Sequence, residues 1–275
     1  MVKKKMITAY SGEHRSRLRG KGLETIDYRE YSPGDDYKTV DWKIFARTEK
    51  LHVKRYEEER EIIAHILLDT SNSMLYSSDA ESKIDYATKS AAGFSYLVAQ
   101  NNDRIGLFTF SDHLNTRIHS RRGRRQFIRI LNALEKIKPQ GKTDLKKVVR
   151  EYMQVTQGKR LIILISDLLL DLDTIRWSLY KLAAKGNDII VFQILDRGEI
   201  FLPFKGEYEI LDLETQEKER ISLTKKEIDR YTGEVERHIR SINRFCRDVN
   251  ADYFLTTTDQ PIHDVFLEFL GASHG

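Results

Sequence analysis

Apolar residues follow two patterns that alternate along most of the chain. Residues 62–68 and 161–165 are almost continuously apolar, which is typical of strands buried on both faces of a parallel sheet. Over residues 82–100, 145–155 and 173–184, apolar positions recur at helical spacing. This alternation predicts an α/β protein with a doubly wound, mostly parallel sheet and helices on both faces.

The same patterns predict the remaining elements. Residues 114–119 alternate like an edge strand antiparallel to a strand at 104–110. Thr224 can cap a long helix that runs to about residue 249, with Glu227 completing a capping box. Further strands are predicted at 189–195 and 252–257, further helices at 127–137 and 262–270, and a β-hairpin insert at about 199–223, with strands at 208–213 and 219–223.

The first 60 residues differ from the rest because they contain few apolar residues. Pro33 and Gly34 predict a turn, and residues 51–56 predict a short strand. We therefore expect a small N-terminal, β-containing appendage at 1–60 and one main domain at 61–275.

The composition is that of a folded protein in aqueous solution. Of the 275 residues, 32% are charged and 40% belong to the apolar set, and no apolar stretch approaches the roughly 20 residues that span a bilayer. The basic start of the chain is not followed by the apolar region of a signal peptide. Cys246 is the single cysteine, so no internal disulfide can form. We expect a cytoplasmic protein without a membrane span.

The formal net charge is only +4, but basic residues are clustered. Such clusters can contact phosphates or an acidic protein surface, and they can equally be solvated charge. The first cluster comprises Lys3, Lys4, Lys5, Arg15, Arg17, Arg19 and Lys21, and the second comprises Arg121, Arg122, Arg124 and Arg125.

Polar side chains follow the first fully apolar strand. Asp69, Ser71 and Ser73 place one carboxylate and two hydroxyls at alternate positions, where open α/β sheets bind their ligands. Hard cations such as Mg²⁺ select oxygen ligands. The same residue types also cap helices and form turns, so this segment alone leaves both interpretations open.

Two later segments strengthen the metal interpretation. Thr143 lies at a predicted helix start, and Asp167 ends the second fully apolar strand. Together with the three residues after the first strand, they make a set of five. In identity and order along the chain, this set resembles the metal-ion-dependent adhesion site of von Willebrand factor A domains; its members are Asp69, Ser71, Ser73, Thr143 and Asp167. The resemblance implies a cation, Mg²⁺ or else Ca²⁺ or Mn²⁺. The serines, and often the threonine, would bind it directly, the aspartates would act through water, and an acidic side chain of a partner would fill the open position.

Other sites built from these residues fail on spacing. A haloacid-dehalogenase-like phosphatase needs a second aspartate two residues after Asp69, where Ser71 stands. A phosphate-binding P-loop ending at Gly141 and Lys142 needs glycine at position 136, where Lys136 stands. Zinc motifs, cysteine pairs and nucleophile elbows are absent from the sequence.

The N-terminal segment resembles the signature of the DUF58 family, which places such a segment directly before an A domain. The matching residues are Gly12, His14, Arg19, Gly20, Lys21, Gly22, Arg29, Tyr31, Pro33, Gly34, Asp35, Asp36, Asp41, Trp42, Ala46, Arg47, Val53, Lys54 and Glu59. Of these, Asp35, Asp36, Trp42 and Arg47 are candidate partner-binding residues, although turns and ion pairs within the appendage would also account for them.

The resemblance implies a protein-binding module without catalytic residues. DUF58 proteins are generally associated with MoxR-type AAA+ ATPases, so an ATPase and a client protein with an acidic ligand residue are the expected partners. Two alternatives stay open. A Mg²⁺-dependent hydrolase would use Asp144 or Asp171 as general base, and an RNA-binding protein would use the arginine cluster and the basic N-terminus.

Overall fold

A computed structural model of the chain describes residues 25–56, 62–79, 81–201, 206–211 and 218–271. The chain divides into two compact units, with the boundary between Glu61 and Ile62. Several residues of the DUF58 signature, the basic N-terminal cluster and the tip of the hairpin insert lie outside the described residues.

The small unit is an antiparallel strand pair with a short helix between the strands. Strand β1 (Thr25–Glu30) pairs with β2 (His52–Tyr56), and helix α1 (Trp42–Thr48) lies between them in sequence. Asp41 caps α1 by accepting hydrogen bonds from the backbone N–H groups of Lys43 and Ile44. The predicted strand at 51–56 is confirmed, whereas β1 and α1 were not predicted from the sequence.

The large unit is built on a six-stranded sheet. Its strands are β3 (Ile63–Asp69), β4 (Arg104–Phe110), β5 (Leu114–Arg121), β6 (Leu161–Ser166), β7 (Asp188–Leu195) and β10 (Asp252–Thr257). Their order is β10-β7-β6-β3-β4-β5, and every pairing is parallel except the antiparallel pairing of β4 with β5. Strands β8 (Gly206–Leu211) and β9 (Lys218–Leu223) form a separate antiparallel hairpin.

Seven helices belong to the large unit in the part of the chain that the structure describes. They are α2 (Lys83–Gln100), α3 (Arg124–Leu134), α4 (Leu145–Val155), α5 (Leu172–Ala183), α6 (Arg197–Ile200), α7 (Lys225–Asp248) and α8 (Ile262–Gly271). The predicted capping box of Thr224 and Glu227 is present at the start of α7.

Apolar side chains of the sheet pack against helices on both faces. On β3, Ile66 and Leu68 belong to the core beneath α2, α3 and α8, while Leu67 belongs to the core beneath α4, α5 and α7. All three are completely buried, and each contributes about 1.5–3 kcal/mol through loss of apolar surface. This double burial explains why β3 and β6 are apolar at nearly every position.

The predicted doubly wound, mostly parallel α/β fold with a hairpin insert is confirmed. Helix α3 begins and ends three residues earlier than predicted, because the helix starts directly after Gly123, whose φ of 88° opens the turn. The four-residue helix α6 was not predicted. Among the described residues, no helix is both long enough and apolar enough to cross a membrane.

Candidate metal site

Asp69 is the last residue of β3 and forms the floor of a polar pocket at the carboxyl edge of the sheet. Its Oδ1 accepts a hydrogen bond of 3.0 Å from the Ser71 backbone N–H, which folds the chain back toward the carboxylate. The Ser71 and Ser73 hydroxyl oxygens lie 3.0 Å apart. The alternate spacing of these three residues therefore does place their oxygens in one cluster.

Backbone hydrogen bonds fasten the loop before α4 to the loop after β3. Gln140 N–H donates to the Thr70 carbonyl at 2.8 Å, and Asn72 N–H donates to the Gly141 carbonyl at 2.9 Å. Gly141 has a φ of +73°, a conformation that most side chains disfavour. These contacts fix the loop on which Thr143 lies.

Thr143 joins the cluster directly. Its Oγ1 lies 3.2 Å from both carboxylate oxygens of Asp69. Contacts from two separate loops thus bring together Asp69, Ser71, Ser73 and Thr143.

The end of β6 supplies the other side of the pocket. Because β6 pairs in parallel with β3, Ser166 lies beside Asp69 and donates a 2.7 Å hydrogen bond from its hydroxyl to Asp69 Oδ2. Asp167 follows. Its Oδ1 accepts from Leu169 N–H at 3.3 Å, and its backbone carbonyl accepts from Gln193 Nε2 at 2.7 Å.

The two aspartates form an electrostatically strained pair. Asp69 is completely buried and Asp167 nearly so. Burial raises the pKa of Asp69 to about 6, and the negative charge of Asp167 adds to this increase. Hydrogen bonds from Ser166 and Ser71 offset only part of it. A bound cation would relieve the repulsion between the carboxylates.

Lys83 is an unpredicted part of the site. The first residue of α2, it is 0% exposed, and its Nζ lies 2.7 Å from Asp167 Oδ2 and 2.5 Å from Glu199 Oε1. Burial lowers the pKa of Lys83, but the charges of Asp167 and Glu199 outweigh that effect and raise it above its usual value. One carboxylate oxygen of Asp167, Oδ2, is therefore paired with a buried ammonium group.

The donor set fits a hard cation that binds mainly through hydroxyls and water. Among the described residues, no group of three or more histidine, cysteine, aspartate and glutamate side chains is placed to hold a metal ion. A cation here would need the hydroxyl oxygens of Ser71, Ser73 and Thr143 together with Asp69. Oxygen donors with few carboxylates suit Mg²⁺, which usually keeps several waters.

The outer side of the pocket is open to solvent. Ser73 and Thr143 are partly exposed, whereas Asp69 and Ser71 lie beneath them. Two residues after Asp167 in sequence lies an exposed apolar side chain, Leu169. The preceding residue, Leu168, has a left-handed backbone conformation with a φ of 51°. A group approaching from outside would therefore meet the hydroxyls first.

Two of the candidate partner-binding residues of the small unit form hydrogen bonds within that unit. Asp35 forms two hydrogen bonds with the Arg29 guanidinium, at 2.6 and 2.7 Å, and the Arg29 hydrogen bonds keep the pKa of Asp35 low. Asp36 accepts from Lys38 N–H and begins a 3₁₀ turn. Both carboxylates thus have structural partners, while Trp42 and Arg47 are exposed and available for contact.

The proposed general bases of a hydrolase are helix caps. Asp144 accepts from Lys147 N–H at the start of α4, and Asp171 accepts from the Asp173 and Thr174 N–H groups at the start of α5. Hydrogen bonds to Thr174 and Asp173 lower the pKa of Asp171, which makes it a weaker base. Nothing in the geometry favours the hydrolase.

Sequence reasoning missed Lys83, Ser166 and Glu199. Lys83 carried no signal, because a lysine at a helix start is normally solvated and its two partners are far away in sequence. Ser166 could have been found, since parallel pairing of the two apolar strands places the residue before Asp167 next to Asp69.

Comparisons with known proteins agree with this architecture. Residues 27–240 match the family described as "Protein of unknown function DUF58". An uncharacterized protein of Mycobacterium bovis is 25% identical over 262 residues, which cover 94% of this chain and 82% of the relative.

The chain is also similar to two solved structures, the first of which shares its fold. BatB, a conserved hypothetical protein from Bacteroides thetaiotaomicron, has a TM-score of 0.51 and 16% identity, covering 78% of this chain and 98% of BatB. The SpRpn10 VWA domain has a TM-score of 0.43 and 11% identity, covering 75% of this chain and 94% of that domain. Because the family match extends over most of the sequence, the chain belongs to the DUF58 family.

Proposed function

We propose that this chain is a metal-dependent protein-binding module rather than an enzyme. The cation, Mg²⁺ in the first instance, would be held by Asp69, Ser71, Ser73 and Thr143, with Asp167 acting through water. The observation that carries the proposal is the convergence of three hydroxyls on the buried Asp69 carboxylate at an open edge of the sheet.

Different residues of the site would have different roles in partner recognition. Ser166 and the Ser71 backbone orient the Asp69 carboxylate, while Ser73 and Thr143 present hydroxyl oxygens toward solvent. When bound, the cation would supply an open coordination position for an aspartate or glutamate of the partner. Charge-assisted contacts around that carboxylate would then add specificity.

We further propose that the module works as an adaptor with a MoxR-type AAA+ ATPase in the maturation or activation of protein complexes. Membership of DUF58 supports this partner, because the family is generally associated with such ATPases. The client would carry the acidic ligand residue. A AAA+ ATPase requires ATP, so the proposed setting is the cytoplasm.

The test is affinity capture from native lysate with Mg²⁺, with EDTA, and with Asp69→Ala. We expect a AAA+ ATPase or a client to be retained only when Mg²⁺ and Asp69 are both present, because the alanine removes the carboxylate at the centre of the site. Asp173→Ala is the matched control: Asp173 is an exposed aspartate in the first turn of α5, and this variant should capture partners like the wild type.

Recovery of the same partners in all lanes would reject the metal-bridged mechanism and assign binding to another surface. Retention of partner by Asp69→Ala in Mg²⁺, with loss in EDTA, would place the functional cation elsewhere.

A further inference from the structure

Lys83 introduces a fixed positive charge next to the candidate metal site. A buried lysine normally carries a large desolvation cost, and here Asp167 and Glu199 compensate it with ion pairs of 2.7 and 2.5 Å. The Lys83 side chain is 0% exposed. Its charge is therefore not screened by direct contact with water.

The partners of Lys83 are themselves held in place. Glu199 Oε2 accepts from Asp196 N–H at 2.8 Å as part of a capping box, and the Glu199 carbonyl accepts from the Tyr231 hydroxyl at 2.8 Å. Asp196 in turn accepts from the Ser78 backbone N–H and hydroxyl. This network fixes the Glu199 carboxylate beside Lys83.

A divalent cation at the hydroxyl cluster and the Lys83 ammonium would therefore share one carboxylate. Asp167 interacts electrostatically with Asp69 on one side and with Lys83 on the other. Like charges that share a carboxylate in a poorly solvated region repel each other, and the repulsion reduces the affinity for the incoming charge.

We propose that Lys83 is a built-in counter-charge that weakens cation binding at this site. The inference rests on the proposed function and deepens it: the cation would be held firmly only when the carboxylate of a partner supplies the missing negative charge. Lys83 is thus a positioning residue that tunes affinity, and Glu199 sets how strongly it does so.

The experiment measures Mn²⁺ binding to the full chain by titration calorimetry. Glu199→Gln keeps Lys83 but removes one compensating charge, so we expect weaker binding than in the wild type. Adding Lys83→Met to Glu199→Gln removes the repelling ammonium. We expect the double variant to bind Mn²⁺ at least about tenfold more tightly than Glu199→Gln, the scale of one charge interaction near a protein surface.

A matched control separates the local charge from net charge. Lys89 lies on the same helix, is 59% exposed and pairs with Glu81. Lys89→Met combined with Glu199→Gln makes the same change in net charge, and its Mn²⁺ affinity should equal that of Glu199→Gln. Circular dichroism and thermal unfolding verify that each variant is folded.

If Lys83 tunes affinity, Glu199→Gln alone weakens Mn²⁺ binding and the added Lys83→Met tightens it again. A purely structural role would weaken Mn²⁺ binding in both proteins. Equal or weaker binding by a folded Lys83→Met and Glu199→Gln protein overturns the inference and leaves the proposed function standing. If the double variant does not fold, Glu199→Gln against wild type decides, and equal or tighter binding by Glu199→Gln overturns the inference. Absence of Asp69-dependent binding in every variant overturns both proposals.

Discussion

Strand β3 carries two buried ionisable side chains, and the two differ in how their burial is compensated. Near its start, His65 is 4% exposed and its Nδ1 lies 2.7 Å from the Tyr152 hydroxyl of α4. At its end, Asp69 is completely buried and receives hydrogen bonds from serine and threonine residues.

The histidine and tyrosine satisfy each other without charge. Burial lowers the pKa of His65 to about 3, so the imidazole is neutral at ordinary pH. The rings also pack at a centroid distance of 5.8 Å in an edge-on arrangement. A neutral, paired group of this kind belongs to the core and needs no ligand.

The aspartate remains unsatisfied in electrostatic terms. Asp69 lies near a second carboxylate, Asp167, and burial together with that charge raises its pKa to about 6. Lys83 forms its ion pairs with Asp167 and Glu199. Burial of polar groups is thus not informative by itself, whereas a buried charge without sufficient counter-charge at an open edge indicates a binding site.

The largest stability effect is expected from breaking the neutral pair. Tyr152→Phe leaves the buried His65 Nδ1 without its hydroxyl partner, so urea unfolding should show a loss of about 2 kcal/mol in the free energy of unfolding. His65→Leu combined with Tyr152→Phe removes both polar groups and should recover part of that loss. Mg²⁺ should not alter either value; a Mg²⁺-dependent loss would mean that this pair is coupled to the metal site.

A smaller change in the free energy of unfolding, of opposite sign, is expected at the charged cluster of Asp69, Asp167 and Lys83. In EDTA at pH 8, Asp69→Asn should raise the free energy of unfolding by about 1–2 kcal/mol, because a raised carboxyl pKa means that the ionised form disfavours folding. The variant should also lose any stabilisation by Mg²⁺. Asp173→Asn, an exposed charge removal, is the control and should leave unfolding unchanged.

The pH dependence of these variants sharpens the contrast. The Asp69 pKa is raised from 3.8 to about 6, so the advantage of Asp69→Asn should be absent below about pH 4 and complete above about pH 6. The His65 pKa is lowered from 6.5 to about 3, so protonation of the unfolded state costs stability as pH falls through that window. The wild type should therefore lose stability toward acid relative to the double His65 and Tyr152 variant. If the free energy of unfolding of Asp69→Asn and of the double His65 and Tyr152 variant changed with pH in the same way, the assignment of a charged group to Asp69 and a neutral one to His65 would be wrong.

Most of the fold was predictable because double burial leaves a strong apolar signal. Strands β3 and β6, the long helix α2 and the capped helix α7 all follow from such patterns or from cap residues. The small unit was less predictable. Strand β1 has few apolar residues and is specified by its pairing with β2, which is a contact between residues far apart in sequence.

The candidate site was predictable only where its residues follow strand ends. Asp69 and Asp167 could be placed because parallel strands end at one edge of the sheet, and Thr143 could be placed by resemblance. Lys83 and Glu199 could not, because their ion pair joins positions 116 residues apart.

The smallest effect is expected in the small unit, where the partner-binding hypothesis rests on Trp42 and Arg47. Trp42 is 60% exposed and contacts the Phe45 ring edge-on at a centroid distance of 6.1 Å. Trp42→Ala should change the free energy of unfolding by no more than about 0.5 kcal/mol, because little surface is lost from the core. In affinity capture it should reduce the recovered partner less than Asp69→Ala does, with the Mg²⁺ requirement unchanged. If Trp42→Ala instead abolishes capture while Mg²⁺ still stabilises the protein, the partner binds through the small unit, and the charged cluster on β3 is a metal site with a structural role.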